Sequence, residues 1–256
     1  MLRQNGFGAT LTGDSGLFDS EYINEPFHKP DLIKQLVFIT PHWSMHLDQA
    51  KELLQRFTVH YDNADRIVSL HSAPNDVDRE LIDFAVQLGW KIHYTSHELE
   101  NIAIYRESDL HVGYRFHGHL AHLRWRRPSV ILAEDSRAQG LNETLGTSGF
   151  PAFESRRGLA RKFGGIHDSF PFVGLSFVLE KYGYADLIPD RRKLAGLLNP
   201  TAIEDVLHFV EHQQSNGWQA FDHVQNVMDE IYTEGIRPCL ESTLGPSRLA
   251  GQENGV

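Results

Sequence analysis

Residues 108–133 read SDLHVGYRFHGHLAHLRWRRPSVILA, and this stretch decides the fold class. The segment Leu110–Gly113 predicts a short strand, and the helical spacing of the following apolar residues predicts a helix from His117 to Trp125. Pro128 separates this helix from an apolar run at Ser129–Ala133, which predicts a second strand. A strand, a helix and a strand in this order form the repeating unit of a parallel sheet with crossover helices.

The same alternation extends over the whole segment from Lys34 to Gly146. We therefore predict an α/β fold with a doubly wound, Rossmann-like parallel sheet of about five strands in the order 3-2-1-4-5. Ligands of such sheets bind outside the carboxyl ends of the strands where the order reverses, which is between the first and fourth strands here. The three earlier predicted strands are 35–40, 66–70 and 91–94.

The segments on either side of this domain have a different character. Residues 1–33 are rich in Gly, Asp, Asn and Pro, contain no complete helical or strand pattern, and are predicted to be a lead-in segment. Residues 147–256 are predicted to form a mostly helical C-terminal extension, with helices at Ala202–Gln214 and Trp218–Tyr232 and a frayed tail after Pro238.

Composition and charge exclude several classes of protein. The formal net charge is -10 and the basic residues are scattered, so nucleic acid is not an expected partner. No stretch approaches the ~18 apolar residues that a membrane span needs, and no secretory signal precedes the domain, so we expect a cytoplasmic protein without a membrane span. The single cysteine, Cys239, excludes an internal disulfide framework and a cysteine-based zinc finger.

Polar or ionisable residues follow every predicted strand, where a ligand of such a sheet would bind. We take the polar residues after the first two strands as candidate lining of a polar pocket. The alternative is that loops are polar in any case and that serines such as Ser44 act as helix caps. These candidates are Thr40, His42, Ser44 and His71.

The loop after the fourth predicted strand contains the strongest candidates. Arg115 and His117 flank the turn into the helix, and Gly118 removes a side chain where a ligand can approach the backbone. A helix N-terminus stabilises an anion, Arg115 can grip it with two hydrogen bonds, and His117 can transfer a proton near neutral pH. The alternative is that Arg115 pairs with a structural carboxylate such as Asp109 and that His117 caps the turn.

Histidines are dense in this region and suggest a metal site. His119 and His122 lie three residues apart on the predicted helix, a spacing that can share a metal ion. However, strand alternation and the helical turn are expected to point His111, His117, His119 and His122 in different directions, and no cysteine lies nearby. We therefore predict no metal and no cofactor.

Residues 108–146, which end in SVILAEDSRAQGLNETLG, resemble the polysaccharide pyruvyl transferase family. That family has an Arg-x-His motif after a strand of its second domain, which corresponds to Arg115-Phe116-His117 here, and Arg137 and Glu143 also fit its pattern. The resemblance is looser over 34–108, where Thr40 and Ser44 match a strand-end loop, and it does not cover 150–256.

The resemblance implies two facing Rossmann-type domains, as in GT-B glycosyltransferases. Residues 34–146 would then be the second, donor-binding domain, and residues 1–33 a remnant of the first, with 11–18 as its end. It also implies transfer of pyruvate from phosphoenolpyruvate to a sugar of a polysaccharide or its precursor. Arg115 and His117 would be catalytic, and the substrate-binding residues would be Thr40, His42, Ser44, His71, Gly118, Arg137 and Glu143.

Two other functions are compatible with the same residues. A GT-B glycosyltransferase that uses a nucleotide sugar would share both the fold and the anion site. A truncated, non-catalytic domain would need a partner subunit or a second copy of the chain to complete its site.

Overall fold

A computed structural model of the protein describes residues 14–96, 98–146, 148–153 and 198–244. Its centre is a sheet of six parallel strands in the order β3-β2-β1-β4-β5-β6. The strands are β1 Gln35–Ile39, β2 Asp65–Leu70, β3 Lys91–Tyr94, β4 Leu110–Gly113, β5 Ser129–Ala133 and β6 Gly149–Pro151.

Helices connect the strands of the sheet, and further helices come after the last strand in the chain. The helices of the sheet domain are α1 Leu47–His60, α2 Asp76–Gln87, α3 Ala103–Glu107, α4 Phe116–Arg124 and α5 Ser136–Leu145. Three more come later, α6 Ala202–Ser215, α7 Gln219–Ile231 and α8 Arg237–Leu244, and a π-helical turn at Tyr232–Ile236 joins the last two. Short 3₁₀ turns lie at Ser15–Leu17, Ser20–Tyr22, Ser44–His46 and Leu99–Ile102.

Strand alternation places helices on both faces of the sheet. In β1, Leu36 and Phe38 belong to the large core that includes α1 and α2, whereas Val37 and Ile39 pack on the opposite side with residues of α3. The four central strands are mostly buried on both faces of the sheet, which explains their almost continuous apolar sequences. The predicted doubly wound α/β fold and its strand order are confirmed.

The helix ends follow from the local sequence. The Asn75 side chain accepts a hydrogen bond from the Asp78 main chain while the Asp78 carboxylate accepts one from Asn75, a capping box that starts α2. The Asp135 carboxylate accepts from the main chain of Arg137 and Ala138 at the start of α5. Gly146 ends α5 in the left-handed conformation, with φ of 77°.

Two predictions about chain extent differ from the structure. The sheet has a sixth strand, β6, which the sequence conceals because it is three residues long and ends in Pro151. The prediction of a frayed tail after Pro238 is wrong up to Leu244, because α8 continues the chain there as a helix. The predictions for residues 1–13, 154–197 and 245–256 lie outside the described residues.

Residues 14–33 pack on the same core as the sheet. Leu17, Phe18, Phe27 and Ile33 are buried, together with residues of α6 and α7. One buried side chain, Arg126, joins this segment to the C-terminal helices.

Arg126 lies just after α4 and is almost completely buried. Its Nε donates to the Tyr22 main-chain oxygen at 2.8 Å, and its Nη2 forms an ion pair with Asp229 of α7. The His28 main chain in turn donates to the Arg126 oxygen. The guanidinium therefore holds the N-terminal segment, the end of α4 and α7 together.

None of the described helices combines the length and the apolar character that crossing a membrane requires.

Candidate functional site

The loops after β1 and β4 meet at the point where the strand order reverses. Because β1 pairs with β4 in parallel register, their carboxyl ends lie side by side. Arg115, which follows β4, reaches across to the loop after β1. Its Nε donates to the Thr40 oxygen at 3.1 Å, its Nη2 to the Pro41 oxygen at 3.4 Å, and its Nη1 lies 2.5 Å from His42 Nδ1. The crevice predicted from the strand order therefore contains the guanidinium of Arg115, the main predicted anion-binding group.

Arg115 has only uncharged hydrogen-bond partners among the described residues. The alternative in which it pairs with Asp109 is wrong: the Asp109 carboxylate instead accepts from His28 Nε2 and from the main chain of Lys34 and Gln35, at the opposite end of the sheet. The three partners of Arg115 are two carbonyl oxygens and an imidazole nitrogen. Its positive charge is therefore not neutralised by a salt bridge within the described part of the chain.

Glu134 is the carboxyl group close to this cation. Its two oxygens accept from the His42 main-chain N–H at 2.9 and 3.0 Å, and one also accepts from Trp43. Burial raises the pKa of Glu134 to about 8, although these N–H donors and the nearby Arg115 favour the ionised form. The Glu134 carboxyl group therefore binds its proton more tightly than an exposed glutamate does.

The start of α4 lies directly beside Arg115. Arg115 is the N-cap residue and forms no side-chain cap hydrogen bond, and the first N–H groups of a helix have no partner within it. Gly118, in the first turn, packs tightly: a Cβ there would lie 2.1 Å from Ile39 Cδ1 and 3.2 Å from the His71 ring. Its missing side chain thus brings α4 close to β1, and this side of the glycine faces protein.

His117 is exposed and lines a cavity of about 600 Å³ between α4, the start of α3 and the N-terminal segment. It lies inside the first turn of α4, whose cap residue is Arg115, so it does not cap the helix. His117 and Arg115 both lie near His71. Burial lowers the pKa of His71 to about 4, with further lowering by Arg115 and His117. Both predicted catalytic residues thus lie close enough to His71 for their charges to act on it.

His71 continues into a buried hydrogen-bond network. Its Nε2 lies 2.6 Å from the Tyr105 hydroxyl, which also contacts Ser69 Oγ at 2.7 Å and Thr95 Oγ1 at 3.3 Å. Tyr105 comes from α3 and has no sequence motif, so our sequence analysis did not include it. These hydrogen bonds fix the orientation of the His71 ring.

Three other histidines are packed together beneath α4. The rings of His111 and His122 stack with centroids 4.4 Å apart, and His111 and His119 share Ser129 Oγ at 2.7 and 2.6 Å. The expectation that these rings diverge is wrong, because His119 and His122 occupy the inner face of α4 opposite His111. Burial lowers the pKa of all three imidazoles. Among the described residues, no cluster of His, Cys, Asp or Glu side chains, this one included, is arranged so that it could hold a metal ion.

Thr40 is buried, and Ser44 is half-buried with its hydroxyl oxygen inside the protein. The Thr40 hydroxyl donates to Asp78 Oδ1 at 2.8 Å, which connects the loop after β1 to the start of α2. Ser44 begins a 3₁₀ turn whose N-cap is Trp43, so the cap alternative for Ser44 is wrong. Its hydroxyl is buried without a hydrogen-bond partner among the described residues.

Arg137 and Glu143 both lie on α5, almost two turns apart. Arg137 pairs with Asp135 at 2.6 Å, lies over the Phe116 ring and is close enough to His42 to lower its pKa. Its charge therefore acts on the crevice together with the opposite charge of Asp135, which raises the same pKa. Glu143 lies on an exposed part of α5.

Searches against family models, curated proteins and solved structures found no match for this chain.

Proposed function

We propose that the protein is a pyruvyl transferase-like enzyme that transfers pyruvate from phosphoenolpyruvate to a sugar of a polysaccharide or its precursor. The observation that carries this proposal is the Arg115 guanidinium, which has only uncharged partners among the described residues, beside the uncapped start of α4. A cation and free N–H groups at a strand-order reversal form a site for a small anion.

Phosphoenolpyruvate matches the charges around this crevice. It has a phosphate and a carboxylate, so its site needs positive charge at two points. In the proposal Arg115 and the start of α4 bind one group, and Arg137, which lies near His42, binds the other.

Each proton in the proposed reaction has a defined source and destination. In the proposal His117 donates a proton to the terminal carbon of the enol while a sugar hydroxyl oxygen attacks the central carbon. The bond from that carbon to the phosphate oxygen breaks, and a second hydroxyl attacks the same carbon to close a ketal. Of the two protons that the hydroxyl groups release, one replaces the proton that His117 gave and the other leaves with inorganic phosphate.

A thermal-shift titration with phosphoenolpyruvate, UDP and GDP tests donor binding. We expect stabilisation by phosphoenolpyruvate alone, its loss in R115A, and its retention in H117A. Arg79→Ala, which removes an exposed arginine on α2, is the matched control and should behave like the wild type. Stabilisation by UDP or GDP alone would favour the nucleotide-sugar alternative, and equal binding by R115A would overturn the proposed site.

Phosphate release in the presence of a sugar acceptor tests catalysis. We expect H117A to lose turnover by a factor of about 10² to 10⁴, the range for a general acid, while it still binds phosphoenolpyruvate. Undiminished turnover in H117A would contradict the role of His117.

A further inference from the structure

We infer that the cavity beside His117 is a binding site for a sugar ring, the acceptor of the transfer. This inference rests on the proposed function for its catalytic meaning. Its volume of about 600 Å³ lies within the usual range of small-molecule sites.

The cavity has three walls. One is the face of α4 that contains His117 and Leu120, and another is formed by Glu100 of the turn before α3 and Arg106 of α3. The third is the N-terminal segment at Asp14 and Gly16. A Cβ at Gly16 would lie 3.5 Å from Leu120 Cδ1, so this segment lies directly on α4.

The polar groups of the lining include both signs of charge. Asp14 and Glu100 only accept hydrogen bonds when ionised, whereas Arg106 and Arg124 only donate. A hydroxyl group both donates and accepts, so a ligand with many hydroxyl groups can satisfy both kinds of side chain. A ligand of one charge sign alone would face like charges in this lining.

The apolar groups of the lining match the carbon face of a sugar. The apolar side chains of the lining are Ile102, Ala103, Leu120, Ala121 and Trp125. An amphipathic ring can pack on them while its hydroxyl groups reach the charged rim. Trp125 is already fixed, since its Nε1 donates to Asp19 Oδ2 at 3.3 Å.

Two of the charged groups are free to bind. Within the described ranges, the side chains of Glu100 and Arg106 form no hydrogen bond or ion pair with another residue, and both residues are exposed. Arg124, in contrast, is held by Asp19 at 3.0 Å and lies over the Trp125 ring. The cavity thus combines a fixed aromatic wall with two unpaired charged side chains.

The position of His117 connects this cavity to the anion site. Its side chain lines the cavity, yet it lies close enough to His71 to lower the pKa of that residue, as Arg115 does. Asp14 lies near Arg137 and raises the pKa of that guanidinium. His117 lines the cavity and lies in the first turn of α4, two residues after Arg115, so in the proposal it stands between the sugar and the donor.

The test is a nitrogen-15 NMR titration with the methyl glycosides of glucose, galactose and mannose. The reporter is the indole signal of Trp125, which W125F assigns among the four tryptophans. We expect at least one glycoside to shift this signal, and we expect A121F, which fills the cavity, and R106A to weaken binding at least tenfold. R106A is an exposed change, so it keeps the test valid if A121F misfolds. The matched control is E107Q, an exposed neighbour of Arg106 outside the cavity lining, which should bind like the wild type.

A parallel titration with phosphoenolpyruvate separates the two proposals. If phosphoenolpyruvate binds but no glycoside shifts the Trp125 signal, the sugar site is overturned and the donor site stands. Equal glycoside binding by wild type, R106A and A121F would also overturn the sugar site. Glycoside binding without phosphoenolpyruvate binding would overturn the acceptor role and the proposed function together.

Discussion

The Nη1 atom of Arg115 lies 2.5 Å from the Nδ1 atom of His42. A guanidinium only donates hydrogen bonds, so this imidazole nitrogen accepts and His42 is neutral, with its proton on Nε2. Burial lowers the pKa of His42, and the Arg115 charge lowers it further. The geometry of the anion site therefore depends on the protonation state of a residue on the neighbouring loop.

Removal of the guanidinium should return the pKa of His42 towards 6.5. In Arg115→Gln the repulsion between the cation and a protonated imidazole disappears, so His42 should titrate at a higher pH than in the wild type. NMR titration of the His42 Cε1–H signal measures this. Arg79→Gln, an exposed change on α2, should leave the His42 titration unchanged, and the same His42 curve in R115Q and wild type would contradict the prediction.

The protein should lose stability as the pH falls from 6.5 towards 4. Buried imidazoles stay neutral in the folded state, whereas the same imidazoles bind protons in the unfolded chain at this pH. Acid therefore favours unfolding. At pH 5.5 each of these imidazoles lowers the free energy of unfolding by about 1 kcal/mol. Five such groups together outweigh Glu134, whose raised pKa increases the free energy of unfolding as the pH falls. These imidazoles are His46, His71, His111, His119 and His122.

Urea unfolding at pH 7 and pH 5.5 measures this loss. His208→Gln changes an exposed histidine of α6 and should have the same pH dependence as the wild type. A free energy of unfolding that stays constant over this range would show that the imidazoles are not buried in their neutral form.

Gly118→Ala should destabilise the fold by about 1–3 kcal/mol, the usual cost of overpacking. The new Cβ would collide with Ile39 Cδ1, so Ile39→Val in the same chain should recover part of the loss. Gly140→Ala is the matched control, because it lies within α5 with nothing within 4 Å, and it should stabilise the protein by about 0.5–1 kcal/mol. Urea unfolding of these three variants tests the contact, and no rescue by Ile39→Val would argue against it.

Glu134→Gln should remove the loss of folding stability that burial of this carboxyl group causes as the pH rises. Burial raises the pKa of Glu134 to about 8, so the folded state holds a proton that the unfolded state releases, and stability falls as the pH rises from 4.5 to 8. Between pH 6.5 and 8 this amounts to about 2 kcal/mol, because one pH unit corresponds to about 1.4 kcal/mol. The free energy of unfolding of E134Q should be flatter over this range, and parallel curves would place the Glu134 pKa at its ordinary value.

Short-range patterns were sufficient to predict the sheet. Apolar runs such as Ser129–Ala133 and the helical spacing after them identify five strands and the reversal between β1 and β4. The sixth strand, Gly149–Pro151, is too short to produce a periodic signal.

The site could be predicted only in part, because partners distant in the chain are invisible in a local pattern. The sequence placed Arg115 at the crevice but did not exclude Asp109 as its partner. The convergence of His111 with His122 and the role of Tyr105 depend on how closely α3 and α4 pack on the sheet. Glu134 was visible after a strand, but its altered acidity arises from burial, which no motif records.

The Arg126 ion pair with Asp229 sets practical limits on how the gene can be trimmed. Any shortened version that stops before α7 would keep the arginine inside the protein without its carboxylate, and loss of one partner of a buried pair costs about 3–5 kcal/mol. Removal of the segment around Tyr22 would take away its carbonyl acceptor as well. A fragment designed for crystallisation should therefore include both the segment around Tyr22 and α7, even where only the sheet is of interest.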